Sequence, residues 1–160
     1  MTLQSTVALN QGFGLVGELV FEGPLRAQPG VVKGTAANIV VGRAFTIDTA
    51  DGQFQPGGTG VYGGILSNPK ALQSVGTAGG GPLAPTLTVP AGTVGEFVTT
   101  GEILVQMNGA AQIGQGVYFV QATGELGTGN AAGGQTQIAG AQVVRYANAA
   151  AGLVVISLNQ

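Results

Sequence analysis

Residues 116–127 read GVYFVQATGELG. The stretch divides into a strand, a Thr123–Gly124 turn and a short return strand, which is the signature of a β-hairpin. The same grammar runs outward along the chain. In AFTID, Phe45 and Ile47 alternate with Thr46 and Asp48. In TLTVP, Leu87 and Val89 stand opposite Thr86 and Thr88. In GEILVQM, Ile103, Val105 and Met107 share one side. The segments ELVFE (18–22), QTQIAGAQVVRY (135–146) and GLVVISLN (152–159) read as further strands. LVVISL (153–158) is apolar on both faces, so it is either a central strand or one covered by a neighbouring subunit.

Composition makes β structure the rule. The 160 residues include 30 Gly and 7 Pro, so 37 are turn formers. The longest stretches free of both span 11 residues. Ordinary helices average about 11–12 residues, and interior Gly or Pro is costly in them. Less than about a fifth of the chain is therefore expected to be helical. Single helical turns are expected in NPKALQSVG (68–76) and YANAAAG (146–152). The expected fold is all-β: one domain over 1–160, a sandwich or barrel, with residues 1–11 as an extended N-terminal arm. Its core is expected to include Phe45, Ile47, Val105, Phe119, Val155 and Ile156. Long, nearly chargeless Gly-rich loops are expected at DGQFQPGGTG (51–60), SVGTAGGGPLAP (74–85) and GTGNAAGGQ (127–135).

The residue inventory excludes much chemistry. There is no Cys and no His. Disulfides, thiolate nucleophiles, Ser-His-Asp triads and His-based metal sites are therefore ruled out. The formal net charge is −2, and the five cations, Arg26, Lys33, Arg43, Lys70 and Arg145, are scattered. A nucleic-acid binder normally carries a basic face, so no direct nucleic-acid partner is expected. The start, MTLQSTVALNQ, has no basic segment before an apolar run, so it does not read as a signal peptide. No apolar run approaches the ~18 residues of a membrane helix.

Three motifs hint at chemistry and fail in context. GFGLVG (12–17) matches the dinucleotide pattern Gly-x-Gly-x-x-Gly. Such a loop must open a helix that holds the pyrophosphate. Here it opens ELVFE, a β-type segment halted by Gly23-Pro24, with no acidic residue in 35–41. A bend or bulge entering a strand is the expectation. Glu18/Glu22, Asp48/Asp51 and Glu96/Glu102 are the local carboxylate pairs a glycosidase would need. Sugar sites also present aromatic platforms, and there is no Trp and only Tyr62, Tyr118 and Tyr146. DTADGQ (48–53) has the wrong spacing for a calcium loop and reads as an Asp51–Gly52 turn. No catalytic, cofactor-binding or metal-ligating residue is assigned.

Charged residues make up 8% of the chain, against about 25% in ordinary soluble domains. A surface so poor in charge suits coverage by protein, so an assembly subunit is expected.

An ordered set of phrases carries a resemblance. GELVFEGPLRAQPGVV (17–32), VGRAFT (41–46) and GGTGVYGGILSNPKAL (57–72) come first. PLAPTLTVPAGTVGEFVTTGEILVQMNGAAQIGQGVYFVQATGEL (82–126) and VVRYANAAAGLVVISLN (143–159) follow. The series, from about Gly12 to Leu158, resembles the structural cement proteins of tailed bacteriophages. The resemblance implies a non-enzymatic, jelly-roll-like β protein with no cofactor. Its implied place is the outer surface of the virion, after synthesis in the host cytoplasm. There it would clamp neighbouring major capsid proteins after the head expands. The implied partner is the major capsid protein, without nucleic acid or membrane; the two-sided apolar LVVISL and the scarcity of charge lead to the further expectation of a symmetric homo-oligomer, a dimer before a trimer. Candidate capsid contacts are Leu3, Val7, Leu9, Arg26, Phe54 and Tyr62. Leu3, Val7 and Leu9 alternate on one side of the N-terminal segment, which suits docking of an extended arm. The alternative function is a glycan- or receptor-binding β module of a virion fibre or surface protein.

Overall fold

The computed structural model describes residues 14–20, 23–35, 37–68, 88–129 and 133–159. Ten strands follow in chain order: β1 (Leu19–Val20), β2 (Arg26–Val31), β3 (Ala44–Ile47), β4 (Phe54–Pro56), β5 (Val61–Leu66), β6 (Val94–Met107), β7 (Gly116–Val120), β8 (Leu126–Thr128), β9 (Gln135–Arg145) and β10 (Gly152–Asn159). No helix occurs among the described residues.

The architecture is organised by β6, 14 residues long. Its second half closes a five-stranded barrel in the order β6–β10–β9–β7–β8 and back to β6. Every ladder in that ring is antiparallel except β6–β8, which pairs in parallel through Met107 and Leu126. Closure removes the unpaired edges that would otherwise template aggregation. Inside lie Ile103, Val105, Met107, Phe119, Leu126, Ile138, Val143, Val154, Ile156 and Leu158.

The first half of β6 belongs to a second core. There β6 is flanked by β2 and β5, and β5 continues to β3 and β4. Val32, just past β2, bridges Phe54 of β4, and the Lys33 N–H donates to the Phe54 carbonyl at 2.8 Å. The outer strands are thereby drawn together around Val32, Ile39, Val41, Phe45, Phe54, Leu66, Val89 and Phe97.

The barrel is the realised member of the sandwich-or-barrel expectation. A jelly-roll order is not shown by these pairings. Phe45, Val105, Phe119, Val155 and Ile156 are all buried, and Ile47 is half-buried against the second core. The hairpin read from 116–127 is β7, a turn and β8, with Tyr118 paired to Gly127. β10 is a central strand between β6 and β9. Val154, Val155, Ile156 and Leu158 are buried within this chain alone, so LVVISL needs no neighbouring subunit to cover it.

Two expectations are corrected. DGQFQPGGTG is not a loop throughout, because β4 lies inside it. The physical cause is Phe54, which the second core recruits. YANAAAG forms no helical turn: Asn148 exchanges both backbone hydrogen bonds with Ala111, and its side-chain amide donates to the Leu153 carbonyl at 2.9 Å. That arrangement fixes a chain reversal. β2 (RAQPGV) and β5 (VYGGIL) are strands that contain Pro29–Gly30 and Gly63–Gly64, residues that normally signal turns. SVGTAGGGPLAP and NPKALQSVG beyond Asn68 lie outside the described residues, as do Thr86 and Leu87 of TLTVP. Thr88 and Val89 keep the expected alternation, exposed and buried.

Candidate functional site

The glycine motif leads into a strand. Val16–Gly17 forms a turn in which the Glu18 N–H donates to the Leu15 carbonyl at 3.0 Å. Gly17 has φ +78°, where a side chain is costly. The chain then joins β6: the Gly17 N–H donates to the Leu104 carbonyl at 2.7 Å, and the Leu104 N–H returns a bond to Glu18 at 2.9 Å. These amides are engaged in the sheet, and among the described residues no helix N-terminus exists to receive a pyrophosphate. Gly12 and Phe13 lie outside the described residues.

The carboxylates are structural in their surroundings. Glu18 accepts a hydrogen bond from the Leu15 N–H, and Glu22 lies outside the described residues. Asp48 and Asp51 flank one turn, each accepting a backbone N–H two residues on, from Ala50 and Gln53. Both also bind the Lys33 ammonium. That ammonium is the largest cause holding the Asp48 carboxyl below its ordinary range. For Asp51 the Gln53 N–H comes first and Lys33 second. The two carboxylates in turn raise Lys33. The place where a cation would sit is thus taken by the lysine. Glu102 faces Arg145 at 3.4 Å, while Glu96 stands exposed on β6 opposite Pro29. Among the described residues no group of three or more Asp, Glu, His or Cys converges as a metal site would require.

The candidate contact residues separate. Leu3, Val7 and Leu9 lie outside the described residues. Arg26 is exposed at the start of β2. Phe54 is 5% exposed and stacks on Phe97, with ring centroids 4.0 Å apart. Its ring is committed to the second core, from which it shapes the surface without forming it. Tyr62 packs against Phe119 at 6.2 Å. Its hydroxyl is buried without a hydrogen-bond partner among the described residues, and burial pushes its pKa strongly upward. The structure therefore brings none of these residues into one visible patch.

A different set of apolar side chains stands at the surface, one that the strand patterns in the sequence do not mark. Leu15, Leu25, Val31, Val61, Val94 and Ile113 are between 39% and 64% exposed. Their signal in the sequence is apolar residues in segments too rich in Gly and Pro to register as strands. No helix of the described residues is long and apolar enough to cross a membrane.

Residues 3–159 match the sequence family described as "Structural cement protein (E217 gp24/Pam3 gp6)". Among solved structures, the chain is similar in fold to one from "The capsid of Myoviridae Phage XM1", with a TM-score of 0.72 and 17% identity. That match covers 100% of this chain and 99% of the other. No curated protein matches the chain.

Proposed function

The chain belongs to the phage structural cement protein family, and from that premise we propose that it binds the outside of the expanded head and stabilises contacts between neighbouring major capsid proteins. The family role is structural and non-enzymatic, within the phage capsid. The observation that carries the finer reading is the surface itself: large apolar side chains exposed on a chain that is only 8% charged. Such a surface is matched to coverage by protein, because charges cost more to bury than they return unless paired.

The mechanism is mechanical. Packed DNA pushes outward, and joints between shell subunits must resist separation. A bridging subunit adds interface at each joint, and a stable contact buries more than about 1,000 Å². Apolar burial contributes about 25 cal/mol per Å² before the costs of association. Repetition over the lattice turns modest contacts into strong collective attachment. In this reading the protein acts as a symmetric oligomer, a dimer before a trimer. Arg26, with Leu3, Val7 and Leu9 of an extended arm, takes part in shell contacts. Phe54 and Tyr62 support that surface from beneath.

The test uses expanded shells of the major capsid protein with and without this protein. Adding it should raise the temperature or osmotic shock at which the shells break. Deleting Thr2–Leu9 should leave the melting temperature of the free protein unchanged while shell binding and shell stability fall. If the free protein unfolds on deletion, the segment belongs to its own core and the arm is refuted. If the full chain neither binds nor stabilises shells, the cementing role fails.

A further inference from the structure

Asn108 and Gly109 follow directly on the Met107–Leu126 pair that closes the barrel. Asn-Gly is a strong hairpin signal because both residues accept a positive φ. Here neither residue has one. Packing does not call for the glycine either, since a Cβ at Gly109 would meet nothing within 4 Å. Neither turn geometry nor packing accounts for this dipeptide.

Its chemistry is more telling. The carboxamide of an asparagine is open to attack by the next backbone nitrogen, and asparagine is thermolabile for that reason. A following glycine leaves the nitrogen unhindered and lets the chain bend into the ring. Asn108 is exposed. Its N–H donates to the Leu126 carbonyl at 2.8 Å, while its carboxamide rests over Gly127, where an added Cβ would strike it. Among the described residues neither that carboxamide nor the Gly109 N–H has a hydrogen-bond partner. The chain's other Asx-Gly pair, Asp51–Gly52, is shielded. Gly52 has φ +71°, which its turn requires, and its N–H donates to the Asp48 carbonyl at 2.8 Å. The Asp51 carboxylate accepts from the Gln53 N–H and pairs with Lys33. Asn148 is held too, with its carboxamide donating to the Leu153 carbonyl.

We propose that Asn108–Gly109 is a site of spontaneous modification, at which Asn108 becomes aspartate and isoaspartate in the folded protein and loosens the barrel closure. The Gly109 nitrogen loses its proton to solvent and attacks Asn108 Cγ, forming a C–N bond. The Cγ–Nδ2 bond breaks, and ammonia leaves with a proton taken from solvent. The product is a five-membered succinimide. Water then opens the ring at either carbonyl. One opening restores the main chain with aspartate at position 108. The other routes the main chain through Cβ and Cγ, which is isoaspartate. Overall one water is consumed and one ammonia released, with no oxidation or reduction. The isoaspartyl link adds one carbon to the main chain between two points fixed to β8. On one side the Asn108 N–H is bonded to Leu126. On the other, Thr128 Oγ1 donates to the Ala110 carbonyl at 2.6 Å. The extra length must be absorbed at the parallel β6–β8 pairing. Either product also sets a carboxylate in a stretch, residues 103–124, that carries no charge. None of this depends on whether shells are cemented.

The experiment ages the purified full chain at neutral and mildly alkaline pH and maps its peptides by mass spectrometry, with isoaspartate detected by an isoaspartyl methyltransferase. Conversion should concentrate at Asn108 and quicken with pH, because the attacking nitrogen must shed its proton. Gly109→Ala fits the open space beside it and should slow conversion about tenfold or more. Asn108→Gln would need a six-membered ring and should show none. Aged wild type should unfold at lower urea than fresh protein, while aged Gly109→Ala should keep its midpoint. The same mapping in urea separates sequence from fold. Asp51–Gly52 should convert only in the unfolded chain, and Asn108 should convert in both states at similar rates. Conversion at Asn108 slowed more than about tenfold by folding would show that the structure protects it, and the site would be overturned. Folded protein that converts first at Asp51, Asn148 or any other position overturns it as well. Isoaspartate at Asn108 with an unchanged urea midpoint overturns the loosening of the closure.

Discussion

Phe54 shows how one side chain can be unreadable in a sequence and decisive in the fold. It sits in a run of Gly, Gln and Pro, and its aromatic ring there reads as an exposed contact. The structure slides it between Gly30 and Gly63, where an added Cβ at either position would collide with the ring. A slot made by missing side chains leaves no trace in a hydrophobic pattern. Gly30→Ala should therefore destabilise the protein by about 1–3 kcal/mol through overpacking, measured by urea unfolding. Phe54→Leu should lessen that cost when combined with it, because contacting sites couple. Equal, additive losses would show that Phe54 does not occupy the slot. Tyr62 is equally exacting. Its hydroxyl is buried without a partner among the described residues, so Tyr62→Phe should leave stability unchanged or raise it by up to about 1–3 kcal/mol. Its pKa is raised in the folded state, so its contribution is intact below about pH 10 and is lost as pH rises beyond. The variant should accordingly flatten the alkaline fall in the unfolding midpoint. A loss above about 1 kcal/mol would mean the hydroxyl has a partner. At the Asp48–Gly52 turn the sign is opposite for the acids. Asp48 and Asp51 titrate below the ordinary 3.8 when folded. Their contribution is present above about pH 4 and lost as pH falls through the folded values. Lys33, raised above 10.5, contributes below that pH and loses its contribution above it. Lys33→Met should weaken both the acid and the alkaline slopes of the unfolding midpoint.

Elements were legible in proportion to how far their own residues decided them. β3, β7 and β10 carry β-branched or aromatic residues in short runs, and they fold where the pattern places them. β2 and β5 were hidden because their Pro and Gly serve neighbours. Pro29 lies on an open edge, and Gly63 lies against Phe54. The turn between β7 and β8 was readable from Thr123–Gly124, but its second duty was not. The Gly124 carbonyl accepts from the Ala44 N–H at 2.9 Å, and the Gln121 carbonyl accepts from Gly58 at 2.6 Å. Arg43 reaches Glu125 at 2.8 Å and the Thr123 carbonyl at 3.3 Å. One barrel turn is thus fastened to the start of β3 and the end of β4. Gly124 has φ +74°, and a Cβ there would strike the Ala44 carbonyl. Gly124→Ala should cost about 2 kcal/mol or more, from overpacking and the left-handed backbone together. Arg43→Met, breaking a half-exposed pair, should cost about 1 kcal/mol or less. Equal losses for the two would mean that the ion pair, and not the backbone seam, joins the parts.

The whole molecule turns on β6 being shared. Phe97 lies in the second core, while Val98, Ile103, Val105 and Met107 lie in the barrel. Neighbouring residues of one strand therefore answer to different cores, a relation that no local pattern encodes because it arises from pairing at long range. The reading of 1–160 as one domain becomes a question of cooperativity. If the second core came apart alone, the barrel would lose β5 from its central strand and the seam at Gly124. The barrel ladder β6–β10 would remain, so separate unfolding is topologically permitted and must be opposed energetically. We expect the seam and the shared strand to oppose it, giving one transition by far-ultraviolet signal and by tyrosine fluorescence. Phe97→Leu in the second core and Ile156→Val in the barrel should each lower that single midpoint. The second should cost about 0.5–1.5 kcal/mol. Native-state hydrogen exchange gives the sharper check. Amides of β3 and β5 should open with the same free energy as those of β7 and β9, and Phe97→Leu should lower both sets alike. If Phe97→Leu lowers protection only in β3 and β5 while β7 and β9 keep theirs, the two cores are separate folding units joined by a common strand, and the one-domain reading is overturned.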